Sequence, residues 1–274
     1  MREVPSSDAL KHELTQPLVK RTAWLWCLLP LVIWGLVELS SEPITLFRQL
    51  NTTARLLPDS VWVFFNMLGN GWGVFALLCP LLILAPRALM ATLCAGAFAG
   101  VVSRTLKLSL QLPRPASVLD PASFHIVGNP LTSLAMPSGH TLTAFALATA
   151  LYFSVPPSKR RYAAGLFVLA ALSGLARVAV GAHWPADVLA GMSIGLFSGM
   201  LGATLAQRIP VNLLLAQAWP LRAASAGAAL CIYILLTERL DFDETRPFQY
   251  LAAAVAALGL TWFISQTLRP RKEV

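Results

Sequence analysis

Along this chain the polar and charged positions gather in short islands between eight mostly apolar stretches, at about residues 23–40, 61–85, 88–107, 139–155, 163–182, 186–206, 222–238 and 247–267. A helix needs about 20 such residues to cross a bilayer, so the pattern predicts an all-α, polytopic membrane bundle. Little sequence is left for a separate soluble domain, and no repeat, low-complexity segment or long linker divides the chain. We therefore expect one integral membrane domain over 1–274. The first stretch is too long and starts too late for a cleaved signal peptide, and is expected to remain as a helix. After it, "PITLFRQLNTTARLLP" (43–58) spaces Ile44, Phe47, Leu50, Ala54 and Leu57 at helical intervals. That spacing predicts an amphipathic helix lying on the outer surface.

Composition agrees with the pattern. Of 274 residues, 56% are hydrophobic and 12% charged, where soluble domains carry roughly 25% charged residues. Lysine and arginine placement orients the bundle. With the N-terminus inside, one face collects Arg2, Lys11, Lys20, Arg21, Arg87, Lys159, Arg160, Arg161, Arg208, Arg222, Arg269, Arg271 and Lys272, 13 of the 21 basic residues. Most acidic residues fall on the other side, including Glu238, Asp241, Asp243 and Glu244. The net charge of +8 then follows from topology and attraction to anionic lipid, and nucleic acid is not an expected partner.

Two further features are read as structural. Cys27, Cys79, Cys94 and Cys231 lie in apolar stretches without metal-ligand spacing and are taken as core filler. "GNGWG" (69–73), with Asn66 nearby, lacks the Lys and Ser/Thr of a phosphate-binding glycine loop and is read as close packing of the second helix through small residues.

On the outer side, charged groups recur at three helix ends, where ionisable residues are costly and usually have a partner or a purpose. The first is "KLSLQLPRP" (107–115): Lys107 closes the third helix, and Pro113 and Pro115 hold Arg114 in an extended segment. Snorkelling of Lys107 to the interface is the alternative reading. The second is "MPSGHT" (136–141). Ser138 is expected to cap the fourth helix, Gly139 to let backbone approach a ligand, and the helix start to offer unpaired N–H groups to an anion such as phosphate. His140 follows in the first turn, placed to donate a proton; a Ser cap with an incidental histidine is the plainer reading. The third is "ARVAVGAHWPADVLAG" (176–191). Pro185 suits a first helical position, so Asp187 points back to the turn and can hold one nitrogen of His183, leaving the other as a nucleophile. A simple helix cap is the alternative role for Asp187.

The joint order Lys-x6-Arg-Pro, Pro-Ser-Gly-His and Arg-x5-His-x3-Asp, over residues 107–187, resembles the type 2 phosphatidic acid phosphatase (PAP2) family. The resemblance implies a six-helix core over about 23–206 and an additional C-terminal helix pair over 207–274. It also implies phosphoryl transfer without a metal or other cofactor. Lys107, Arg114, Ser138, Gly139 and Arg177 would bind the phosphate. His183 would attack phosphorus, Asp187 would orient it, and His140 would protonate the leaving oxygen. Ala176 stands where many members carry a serine, which removes one hydrogen bond near Arg177. The implied substrate is a membrane lipid phosphate or diphosphate: undecaprenyl diphosphate, phosphatidic acid, phosphatidylglycerol phosphate or lipid A. The implied compartment is the bacterial inner membrane, with the site facing the periplasm and both termini cytoplasmic. Beside the motifs, the loop 116–136 is expected to contact the headgroup, with Asp120 and His125 read as solvated. A phosphotransferase using the same histidine with a lipid acceptor is the second reading, and a non-enzymatic transporter or scaffold the third.

Overall fold

Among the described residues of the computed structural model, six helices are long and apolar enough to cross a membrane, and a sharply bent pair brings the number to seven if it is one span. The structure describes residues 19–40 and 42–268, and among these there are only helices and connecting turns. The chain is an integral membrane protein with an all-α fold. Arg2, Lys11, Arg269, Arg271 and Lys272 lie outside the described residues.

A 3₁₀ segment, Arg21–Cys27, leads into α1 (Leu28–Ser40). Then follow α2 (Pro43–Ala54), α3 (Asp59–Met67), α4 (Gly71–Leu78), α5 (Pro86–Leu110) and α6 (Gly139–Ser154). The chain continues through α7 (Gly165–Ala179), α8 (Pro185–Gln207), α9 (Trp219–Thr237) and α10 (Arg246–Leu268). Proline opens α2, α5 and α8, where its missing N–H leaves no bond unmade.

The centre is α6, packed by α8, α5 and α7. Its 16 residues rise only about 24 Å, less than the roughly 30 Å hydrocarbon layer. This expected span is therefore shorter than α5 and α8, and it starts at the site. Glycines of α8 set how closely α8 and α6 approach. A Cβ on Gly191 would lie 2.7 Å from the Ser138 carbonyl, on Gly195 2.6 Å from that of Leu142, and on Gly199 2.5 Å from that of Ala146. Four-residue spacing puts these glycines on one face, bringing the two backbones into contact.

At the opposite end, Arg87 Nη1 donates to the carbonyls of Ala206 (2.5 Å), Gln207 (3.1 Å) and Ile209 (3.0 Å). This closes the C-terminus of α8 onto the start of α5, satisfying carbonyls that the helix leaves open. Helices α9 and α10 form a hairpin against α4.

One expectation is corrected. The stretch 61–85 is not one helix: α3 and α4 meet at 66° across a short break. Asn70 starts α4, its Oδ1 accepting from the N–H groups of Trp72 (3.0 Å) and Gly73 (3.3 Å). An asparagine cap between two glycines favours restarting a helix over continuing one. The helix expected after α1 is present as α2, and one of its faces is buried. That face carries Phe47, Asn51 and Ala54, while Ile44 and Leu57 are exposed. Asn51 Nδ2 donates to the carbonyls of Val178 (3.0 Å) and Ala179 (3.1 Å) and to that of His125 (2.9 Å). The open carbonyls at the end of α7 need donors, and a polar side chain therefore sits in the buried face.

Candidate active site

Three helix ends and one turn meet at the end of the bundle away from Arg87. The turn between α7 and α8 folds back on itself: the N–H groups of Ala182 (3.0 Å) and His183 (3.1 Å) both donate to the Arg177 carbonyl. Gly181 has φ +75, and a Cβ there would lie 2.7 Å from the His125 carbonyl, so both conformation and space require glycine. Pro185 then opens α8. Asp187, in the first turn, accepts from the Trp184 N–H at 2.9 Å and pairs through the same oxygen with His183 Nδ1 at 3.1 Å. It is thus both helix cap and histidine partner. Both side chains are 2% exposed.

The cations converge on this pair. Arg114 Nη1 donates to the Ala182 carbonyl at 3.0 Å, beside His183. Arg177 is buried, and its Nη1 donates to Asn66 Oδ1. Nε of both arginines is buried without a partner among the described residues. Such donors are costly unless an acceptor arrives, and an oxyanion is the acceptor they suit. Lys107 Nζ donates to the carbonyls of Leu134 (2.8 Å) and Ala135 (3.0 Å), turning inward to the loop before Ser138. Burial, then Arg114, Arg177, Lys107 and His140, hold the His183 imidazole well below its ordinary range. These influences favour the neutral imidazole, the state a nucleophile needs.

Ser138 is joined to the same centre by its N–H, which donates to the Asp187 carbonyl at 3.0 Å. Its expected side-chain cap is absent: the hydroxyl makes no bond to a first-turn N–H of α6 and accepts from Thr141 Oγ1 at 2.9 Å. The threonine three residues on competes for that oxygen, leaving the first-turn N–H groups without the serine side chain. Gly139 and His140, with Lys107, line a cavity of about 310 Å³ whose wall also includes Arg104, Ser103, Gly100 and Gly96 of α5. Ala176, on the far side of Arg177, is fully buried in an apolar cluster with Trp62, Val63 and Ala179.

The residues singled out from the motifs therefore gather at one end of the bundle, several of them in a hydrogen-bond network. In the neighbouring loop, Asp120 caps the Ala122 N–H (3.0 Å) and His125 pairs with Asp59 at 2.8 Å. Three polar residues of the network escaped the sequence reading. Asn66 and Asn70, taken as packing, flank the α3–α4 break, and both donate to Asp241 Oδ2, at 3.1 and 3.0 Å. His140 Nε2 pairs with the same oxygen at 3.0 Å. Burial alone would raise the Asp241 carboxyl, but His140, Arg177 and Asn70 outweigh it and hold the group below the ordinary carboxylate range. The asparagines bracketing the "GNGWG" break were the available signal; Asp241 had none that set it apart from its acidic neighbours.

Comparison with known proteins shows what the chain is similar to. The PAP2 superfamily profile matches residues 87–209. A lipid A 1-phosphatase of Porphyromonas gingivalis is 38% identical over 66 residues, 24% of this chain and 15% of that protein. One of Rhizobium johnstonii is 34% identical over 129 residues, 45% of this chain and 50% of that protein. The chain thus spans half or less of the length of these curated relatives. Among solved structures, Aquifex aeolicus LpxE superposes with a TM-score of 0.52 at 32% identity, covering 58% of this chain and 93% of that one.

Proposed function

The chain belongs to the PAP2 superfamily, and from that membership we propose that it hydrolyses a membrane lipid phosphate or diphosphate through a phosphohistidine. The observation that carries this reading is the buried His183–Asp187 pair at 3.1 Å, set among Lys107, Arg114 and Arg177. Asp187 accepts from Nδ1–H of His183, so the lone pair of Nε2 is available to phosphorus. The three cations, with Ser138 and the Gly139 N–H, hold the phosphate oxygens and offset the charge that gathers on them in the transition state. They supply this stabilisation without a metal.

The steps balance as follows. Nε2 of His183 attacks phosphorus, the bond from phosphorus to the lipid oxygen breaks, and His140 passes a proton to that oxygen. Water then attacks the phosphohistidine and gives its proton to His140. The P–N bond breaks, its electron pair returns to Nε2, and inorganic phosphate leaves. The cavity along α5 has a floor of small residues (Gly96, Ala99, Gly100), which suits an amphiphile whose tails stay in the bilayer. The relatives named lipid A 1-phosphatases favour lipid A within the substrate class. By lysine and arginine placement the site faces the periplasm of a bacterial inner membrane, with both termini cytoplasmic.

Phosphate release from lipid A, phosphatidic acid and undecaprenyl diphosphate, measured in EDTA on the detergent-purified protein, tests the reading. Wild-type release that is lost in His183→Ala is the expected result; equal release by both would overturn it. Transfer to a lipid hydroxyl or phosphate in place of water uses the same histidine, and a labelled acceptor added to the assay separates the two outcomes.

A further inference from the structure

Asp241 is delivered to the site from a part of the chain outside the family match at 87–209. It sits in the loop between α9 and α10, in the left-handed region at φ 54, a conformation uncommon outside glycine though tolerated by aspartate. The loop around it is built from buried polar groups. Gln249, fully buried, donates to the carbonyls of Leu235 (3.0 Å) and Glu238 (2.8 Å) and accepts from the Leu240 N–H (3.3 Å). The hydroxyl of Thr245, also fully buried, bonds the Leu240 carbonyl at 2.5 Å. Phe242 is buried, and a Cβ on Gly128 would lie 2.9 Å from its ring. A satisfied buried network of this kind fixes one backbone geometry, and here it aims a single carboxylate at His140.

We propose that Asp241 is a positioning residue for the reaction: it holds the His140 ring through Nε2 and leaves Nδ1 to exchange a proton with the substrate. The proposal rests on the preceding reading of His140 as proton carrier. The site then contains two carboxylate–histidine pairs of opposite sense. Asp187 grips Nδ1 of the nucleophile and frees Nε2; Asp241 grips Nε2 of the proton carrier and frees Nδ1. Asn66 and Asn70 donate to Asp241, and Asn66 also accepts from Arg177, so the break between α3 and α4 fixes the carboxylate relative to the phosphate-binding cations.

The electrostatic setting gives this contact a further consequence. His140 faces Arg177 from α7, Arg114 from the segment after α5, Lys107 at the end of α5, and His183 from the turn before α8. These groups oppose a second positive charge. Burial opposes that charge as well; Asp241 is the carboxylate in contact with the ring that works against these influences, since an adjacent carboxylate favours the protonated imidazole. Removing its charge should therefore move the basic limb of the kcat profile, which requires protonated His140, to lower pH.

The test uses the full chain in detergent with lipid A, phosphatidic acid and undecaprenyl diphosphate, comparing wild type, Asp241→Asn, Asp241→Glu, His140→Ala and His183→Ala. We expect Asp241→Asn to lower kcat by about 10- to 100-fold, a part of what a general acid contributes, with KM nearly unchanged and the basic limb shifted down. Asp241→Glu should recover part of the rate, and adding Asp241→Asn to His140→Ala should cost nothing further, as for coupled residues. Asp241→Ser carries the same expectation should the amide variant fold poorly. An unchanged kcat and pH profile would overturn the proposal, as would a raised kcat, which would mark the carboxylate as an occupant of the anion site. Inactive His140 and His183 variants beside an unaffected Asp241→Asn would sink only the role of Asp241. Active histidine variants would sink the underlying reading.

Discussion

At the residue scale, the site is a matter of which imidazole nitrogen is held and by what. Asp187→Asn keeps an acceptor for the Trp184 N–H, so the start of α8 should survive and the thermal midpoint should move little. Under the proposed mechanism, the change removes the charge that would fix the His183 tautomer and stabilise the developing phosphohistidine. The comparable change in a serine protease triad costs on the order of 10⁴ in kcat, and we expect a loss of at least about 10³-fold here, read as phosphate release at saturating lipid. A loss below about tenfold would mean that Asp187 serves the helix alone. The pairing was legible in the sequence because four residues on, across a Pro185 helix start, is a local relationship that backbone geometry enforces. The pairing of His140 with Asp241 was not, since 101 residues separate them and no local periodicity links the two. Ser138 shows the opposite failure. A cap signal was present, yet Thr141 took the hydroxyl.

At the element scale, apolar length located the helices well, because burial or lipid contact along a whole stretch leaves a continuous mark. The ends of α5, α8, α9 and α10 fall within about three residues of the stretches read from hydropathy. The break between α3 and α4 was missed because Gly69, Asn70 and Gly71 interrupt hydrophobicity too briefly to register, although they suffice to end one helix and cap the next. The contact of α8 with α6 makes its own prediction. A methyl group on Gly195 would meet the Leu142 carbonyl at 2.6 Å and Phe145 Cβ at 2.7 Å, and neither backbone can yield without moving the start of α6. Overpacking of this kind costs about 1–3 kcal/mol. Gly195→Ala should therefore lower the thermal midpoint in detergent. Gly35→Ala, with nothing within 4 Å, should leave it unchanged or raise it, since alanine is favoured over glycine in a helix by about 1 kcal/mol. Equal midpoints for the two variants would show that α6 and α8 are not held by this close approach.

At the scale of the whole molecule, helix ends alternate between two faces, and the charges sort with them. The end of α5, the starts of α6 and α8 and the end of α7 share the site. The start of α5 and the end of α8 are tied at the other end by Arg87, near Arg208 and on the same side as Lys159, Arg160 and Arg161. Positive charge near short loops is retained on the cytoplasmic side, so the site is expected to open on the periplasmic one. Exposed Asn129, in the loop beside the motifs, and exposed Ser158, between α6 and α7, report on the two faces when each is replaced by cysteine. A membrane-impermeant maleimide should label Asn129→Cys in spheroplasts and reach Ser158→Cys only after lysis. Of the native cysteines, Cys27, Cys79 and Cys231 are buried and Cys94 is half-buried, and the unsubstituted chain serves as the blank. The reverse labelling would put the phosphate site in the cytoplasm, and a periplasmic lipid phosphate would then no longer be its substrate.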